Sequence, residues 1–317
     1  MTMYKKSGAL SAIAASILLL AGCQQKAADP AASAAPATTA ASGAAPAGNA
    51  NAIRIGFITD MSGVYADIVG PGAVIAAKMA IADFGGKVLG KPIELVVADT
   101  QNKADITAAK AREWFDTQKV DMLGDVAATA PALAALQVAK QKNKIAIFAS
   151  AASSRLSNED CSAVSIHWTY DTYALAAGTG RGVVKNGGDS WFFLTADYAF
   201  GTNLEKDTTE VIKAEGGKVL GAVRHPLNAS DFSSFLLQAQ SSKAQILGLA
   251  NAGGDTVNSI KAANEFGINK TMKLAGLLMF INDIHSLGLK TTQGMYLTDS
   301  WYWNQNADTR AWARRFF

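Results

Sequence analysis

Residues 191–223 read WFFLTADYAFGTNLEKDTTEVIKAEGGKVLGAV, and this stretch decides the fold. Trp191 to Thr195 is a short, continuous apolar run. Leu204, Thr208, Val211 and Ile212 then return to one face at helical spacing. Gly216-Gly217 sits where a helix should stop, and a second apolar run follows from Val219 to Val223. Continuous apolar runs mark strands covered on both faces, as in a parallel sheet under helices. The stretch therefore reads strand, amphipathic helix, strand, which is the repeating unit of α/β architecture.

The same unit extends in both directions. Upstream, Ile53 to Thr59, Ile93 to Ala98, Val120 to Leu123 and Ile145 to Ala149 read as strands; downstream, Ile246 to Ala250, Leu274 to Leu278 and Met295 to Thr298 do. Phe232, Phe235, Leu236 and Ala239 form another helical face, and Gly85-Gly86 another helix stop. Four strands fall before residue 150, none is evident between 150 and 190, and five follow. That break predicts two lobes, each with its own parallel sheet; a single (β/α)8 barrel is the rival arrangement for a chain of this length. Thr309 to Phe317 opens an amphipathic helix with Trp312, Phe316 and Phe317, and its bare aromatic end reads as a fragment of a longer protein.

The N-terminus carries an address. Lys5 and Lys6 precede an uncharged apolar run from Ala9 to Leu20, too short to span a bilayer comfortably, since a spanning helix needs roughly 20 apolar residues. A positive start, a short apolar core and small residues form a secretory signal, residues 1–22. Leu20-Ala21-Gly22-Cys23 resembles the lipobox of bacterial lipoproteins, which implies cleavage before Cys23 and lipid on that residue. Residues 23–51 are almost all Ala, Pro, Ser, Thr, Gly and Asn and cannot bury a core; they read as a lipidated, disordered tether of about 30 Å mean span.

Removing Lys5 and Lys6 from 29 basic residues leaves 27 against 26 acidic ones, a balance near neutral. No basic stripe appears, so nucleic acid is not expected as a partner. Beyond Cys23 the chain holds one cysteine, Cys161, which cannot form an internal disulfide.

Catalysis finds no constellation. His167, His225 and His285 form no HExxH pattern, and neither a GxSxG elbow nor a P-loop is present. Gly178-Thr179-Gly180-Arg181-Gly182 resembles a dinucleotide loop but follows a helical run, so small residues for close helix packing are the better reading. Asp60, Asp99, Asp125 and Asp197 lie at strand ends, where acids cap helices or fix loops. No cofactor and no metal is expected.

Binding has more support. In open parallel sheets, ligands sit beyond the C-terminal strand ends, where helix N-termini offer free N–H groups to an anion. Small and hydroxyl residues furnish three such loops: 60–65 with Ser62 and Tyr65, 127–129 with Ala128 and Thr129, and 149–154 with Ala151 and Ser153. The second half would supply the opposite wall through Trp168, Tyr170, Tyr198, Gly253 and Asp255.

The ordered set Met61-Ser62-Gly63, Leu123-Gly124-Asp125, Ala151-Ala152-Ser153, Asp197-Tyr198-Ala199-Phe200-Gly201 and Gly253-Gly254-Asp255 resembles the type I periplasmic binding proteins, specifically the leucine/isoleucine/valine-binding family of ABC importers. The resemblance runs from about Ile53 to the end. It implies two lobes, 52–168 and 169–301, with 302–317 returning incompletely to the first, and a solute trapped between them. It implies ABC permease subunits in the inner membrane as partners, a periplasmic, lipid-anchored location and no enzymatic activity. In the amino-acid binders the first lobe grips the carboxylate; the matching positions are Ala128, Thr129, Ala151 and Ser153, with Tyr198 and residues 253–255 opposite. One departure stands out. Leucine binders place an acid for the ligand ammonium just after the strand matching Leu274 to Leu278. Here the chain reads Leu278-Met279-Phe280-Ile281, and the next acid is Asp283. A buried ammonium without a partner is costly, so the expected solute is a carboxylate, with aromatic carboxylates foremost. The same fold serves ligand sensors of signalling systems, and an exported α/β enzyme is the remaining alternative.

Overall fold

Each run of apolar residues becomes a strand whose partners are other runs. A computed structural model describes residues 51–316; the expected signal, Cys23 and most of the expected tether lie outside the described residues. The first sheet is built from β1 (Ile53–Thr59), β2 (Lys87–Val88), β3 (Lys91–Asp99), β4 (Met122–Val126), β5 (Ile145–Phe148) and β6 (Ser165–His167), in the order β2-β3-β1-β4-β5-β6. The second is built from β7 (Ser190–Ala196), β8 (Lys218–His225), β9 (Ile246–Ala250) and β10 (Lys273–Gly276), in the order β10-β9-β7-β8. All pairings are parallel except β2 with β3. Two separate open sheets exclude the barrel.

Helices α1 (Gly70–Asp83), α2 (Ala104–Asp116) and α3 (Thr129–Lys142) join the first-sheet strands. In the second lobe come α4 (Thr172–Lys185), α5 (Ala199–Ala214), α6 (Ser233–Ser241), α7 (Gly253–Glu265), α8 (Ile281–Leu287) and α9 (Leu289–Thr292). Last, α10 (Ala307–Phe316) lies against α1, with Arg315 paired to Asp83 at 2.7 Å.

Strand β7 shows why its sequence is apolar throughout. Successive side chains point to opposite faces. Trp191 and Phe193 enter one core with Leu175, Leu204 and Ile212; Phe192 and Leu194 enter the other with Phe232, Leu236 and Ile260. The first sheet is less evenly covered. Ile58, Leu123 and Phe148 meet Trp114 of α2 and Leu136 of α3 in a closed core. On the opposite face Val97, Ile145 and Ile166 remain exposed.

Beyond the two-residue β2, which makes five strands before residue 150 where four were expected, three strand expectations need correction. The break between 150 and 190 contains β6, a short strand whose Ser165-Ile166-His167 lacks an apolar run. The expected strand Val120–Leu123 starts and ends later, at Met122–Val126, because Val120 still belongs to the turn closing α2, its N–H donating to the Trp114 carbonyl at 3.0 Å. Met295–Thr298 forms no strand: Tyr296 makes only an isolated bridge to Ala275, and Met295 and Leu297 pack as side chains on the core beneath β10.

Candidate functional site

The C-terminal ends of both sheets face each other, and the loops leaving them line one cleft. Its lobe-one wall is shaped by acids. Asp60 accepts from the Gly63 and Tyr65 N–H groups at 2.7 and 2.9 Å and from Asn102 Nδ2 at 2.5 Å. Asp99 accepts from Met61 N–H and Ser62 Oγ at 3.1 and 2.6 Å. Buried Asp125 accepts from Ser150 Oγ at 2.8 Å and Ala149 N–H at 3.3 Å, so it ties the loop after β5 to β4. Burial pushes its carboxyl up to about 6 against those hydrogen bonds. Asp197 faces Arg224 at 3.9 Å. The strand-end acids hold loops and partners.

The central cavity lies between Tyr65, Ile68, Ala128, Thr129, Ser150 and Ala152 on one side and Tyr198, Phe200, Ala252, Leu278 and Phe280 on the other, with Tyr170 at the crossover. It measures about 40 Å³, room for about three waters at roughly 10–15 Å³ each. Among the described residues, no Asp, Glu, Lys, Arg or His side chain lines it. The Tyr65 and Tyr198 hydroxyls hydrogen-bond each other across it. Burial, with each other's proximity, pushes the Tyr65 phenol far up; burial does the same for Tyr170 and Tyr198, so all three stay neutral. The Tyr170 and Phe280 rings lie 6.0 Å apart at 48°.

Helix α3 begins on this cavity without a side-chain cap. Its N-cap residue, Ala128, adopts φ +63°, ψ 148°, a region costly for any residue with a Cβ. Thr129 is 1% exposed, and its Oγ1 has no hydrogen-bond partner among the described residues. A buried hydroxyl left so costs about 1–3 kcal/mol. Together they form an anion-shaped corner: first-turn N–H groups and a free hydroxyl in an apolar wall.

Of the residues expected from sequence, the cavity gathers Tyr65, Ala128, Thr129, Tyr170 and Tyr198. It does not gather the others. Ser62 is exposed and bonded to Asp99. The Ala151 carbonyl accepts from His167 Nε2 at 2.8 Å, and buried Ser153 caps the turn at Ser154–Leu156 through Arg155 N–H. Trp168 is 76% exposed, turned outward from the end of β6. Gly253 abuts the Val64 carbonyl, and Asp255, 1% exposed, accepts from the Asn228 and Ala229 N–H groups at 3.0 and 3.1 Å. Asp283 caps α8 through the Phe280 N–H at 2.9 Å. Sequence reasoning missed Ile68, Val69, Leu278 and Phe280 as lining, because lone apolar residues in loops read as core, whereas Ala152 and Ala252 fall in loops it expected at the cleft. Leu278 and Phe280 have one signal, their position just beyond the end of β10, and Ile68 and Val69, which lead into α1, have none.

His167 and His225 are structural. Burial lowers both. His225 Nε2 accepts from Asn251 Nδ2 at 3.1 Å, which leaves Nδ1–H to donate to the Pro226 carbonyl at 2.9 Å. The glycine run 178–182 lies inside α4, where a side chain at Gly178 would run into Thr298.

The family model described as periplasmic binding protein matches residues 52–317. The chain belongs to this family. The Leu/Ile/Val-binding protein homolog 6 of Brucella melitensis is 26% identical over 240 residues, 75% of this chain and 60% of that protein. The chain thus spans about 60% of the length of the curated relatives it matches. A periplasmic binding protein from Burkholderia mallei of known crystal structure is 67% identical with a TM-score of 0.83, covering 85% of this chain and 72% of that one. A solute binding protein of an ABC transporter from Rhodopseudomonas palustris, solved with p-hydroxybenzoic acid, is 25% identical with a TM-score of 0.66, covering 74% of this chain and 62% of that one.

Proposed function

We propose that this chain is the solute receptor of an ABC importer and that it holds a small carboxylate, aromatic ones foremost, in the cavity between its lobes. The observation that carries this reading is the unpartnered, buried Thr129 hydroxyl beside the uncapped start of α3. A carboxylate there would accept from that hydroxyl and from first-turn N–H groups, and such charge-assisted bonds are the strong ones. The wall opposite is aromatic and uncharged. An α-amino acid would bring an ammonium for which no described lining residue offers an anion, and Asp255, Asp283 and Asp299 (the last in the adjoining space beyond Tyr170 and Phe280) already accept from backbone N–H groups. The relative that holds p-hydroxybenzoic acid fits this chemistry; the Leu/Ile/Val relatives point to branched-chain amino acids instead.

In the same reading, residues 1–22 direct export, Cys23 carries lipid, 52–168 and 169–301 are the two lobes, and 302–317 return to the first. The receptor would then work in the periplasm, tethered to a membrane, and pass its solute to permease subunits.

A thermal-shift panel on the protein tests the solute class. At a hundredfold excess over its dissociation constant, a true ligand adds about 2.7 kcal/mol. Benzoate and 4-hydroxybenzoate should raise the melting temperature, and leucine and valine should not. A shift with leucine and none with the aromatic acids would overturn the carboxylate-only site.

A further inference from the structure

We infer that the loop from Met61 to Val69 is a clasp that locks the lobes together, its Val64 and Asp67 carbonyls received by Gly254 and Asn282, none of which lines the central cavity; the inference rests on the cavity being the solute site. The loop belongs to lobe one. Asp60 and Asn102 fix its base, and its far end turns back on itself, with the Ile68 and Val69 N–H groups donating to the Tyr65 carbonyl at 3.0 and 3.1 Å. It is therefore a formed jaw before it meets anything.

Its tip is bonded to lobe two at three places. The Gly254 N–H, in the first turn of α7, donates to the Val64 carbonyl at 3.0 Å. Asn282 Nδ2 of α8 donates to the Asp67 carbonyl at 2.7 Å. The Tyr65 hydroxyl meets that of Tyr198. The first contact uses an N–H that has no acceptor inside its own helix, and the positive end of α7 favours the incoming carbonyl. It also explains the paired glycines. A Cβ at Gly253 would strike the Val64 oxygen, and Gly253 adopts φ +56°, which glycine accepts freely; a Cβ at Gly254 would sit 3.1 Å from Val64 Cγ2. Any side chain there holds the jaw off.

The clasp governs exchange because Tyr65, Ile68 and Val69 of the same loop form part of the cavity wall. A space of about 40 Å³ beside the Tyr65–Tyr198 pair is too small for an aromatic acid, so the two walls joined by the clasp must part to admit one. Release of solute is thus gated by the loop-to-helix bonds, and Gly254 and Asn282 are positioning residues that act on residence time.

Two variants test this. Gly254→Pro removes the donating N–H at a first-turn position where proline is tolerated, so α7 persists. Asn282→Ala removes the second bond at an exposed site. Cys23 and Cys161 are changed to serine, and spin labels are placed on cysteines replacing exposed Lys103 in lobe one and exposed Lys261 in lobe two. In the solute-free protein both variants should shift the inter-label distances outward. With 4-hydroxybenzoate as the probe, both should release it about three- to tenfold faster, the loss of one net hydrogen bond, with association within about twofold. Distance distributions in both variants that superimpose on the unsubstituted protein would overturn the clasp. If 4-hydroxybenzoate fails to bind the unsubstituted protein, the carboxylate reading falls, and the solute-free distances still decide the clasp.

Discussion

Thr129 concentrates the argument in one side chain. Its hydroxyl is buried and unanswered by the protein, so Thr129→Val should leave the solute-free protein as stable or more stable by about 1 kcal/mol. The same change should weaken a bound aromatic carboxylate about tenfold or more, since a hydrogen bond to a charged group is worth roughly 1.5–3 kcal/mol. Urea unfolding and calorimetric titration read the two effects, and opposite signs are the signature of a binding group; loss of stability would mark a structural one. Asp125 makes a second case. Folded, it keeps its proton to about pH 6, whereas an ordinary aspartate releases it near 3.8. The folded state thus binds more protons between these values, and the stability from protonated Asp125 is full below about pH 4 and lost as pH rises to about 6. Asp125→Asn should remove a decline on the order of 1–3 kcal/mol across that window. Unfolding free energies at pH 4.5, 5.5 and 7 check it; parallel curves for the two proteins would count against it. Both residues were visible in the sequence as strand-end positions. What the sequence withheld was their partners: Asp125 is answered by Ser150, and Thr129 by nothing.

The glycine run of α4 shows the limit of motif reading at the level of an element. Gly178 and Gly182 look alike in sequence, one helical turn apart. A side chain at 178 meets Thr298, whereas nothing lies within 4 Å of 182. Gly178→Val should cost about 1–3 kcal/mol through overpacking. Gly182→Ala should stabilise by about 0.5–1 kcal/mol, because alanine lowers the entropy the helix must overcome. Denaturation midpoints of the two variants moving in opposite directions is the expected outcome. Helices and central strands were legible because burial on one stripe or two faces imprints a period. β6 was not, since an edge strand of Ser165-Ile166-His167 is bonded through its backbone and needs no apolar pattern. Met295 to Thr298 failed in the opposite sense: an apolar run there packs on the core without pairing beyond Tyr296.

At the scale of the molecule, the proposed function rests on the relation between two sheets. The clasp from Val64 to Gly254 and from Asp67 to Asn282 joins residues about two hundred positions apart, and no local pattern encodes such a contact. The sequence by itself determined the α/β class, the two-lobe division and the family, and it pointed to the strand ends at which a ligand site is expected. It did so because apolar periodicity and loop chemistry are local consequences of where a chain is buried. Only the tertiary structure decided which strand-end residues face the cleft. It turned Trp168 outward, gave Ser153 and Asp255 to caps and turns, and brought Leu278 and Phe280 into the wall. The physical reason is that a side chain's role follows from its three-dimensional neighbours: a hydroxyl or carboxylate already satisfied by the backbone is scaffold, and the same group left unsatisfied in an enclosed apolar wall is available to a ligand.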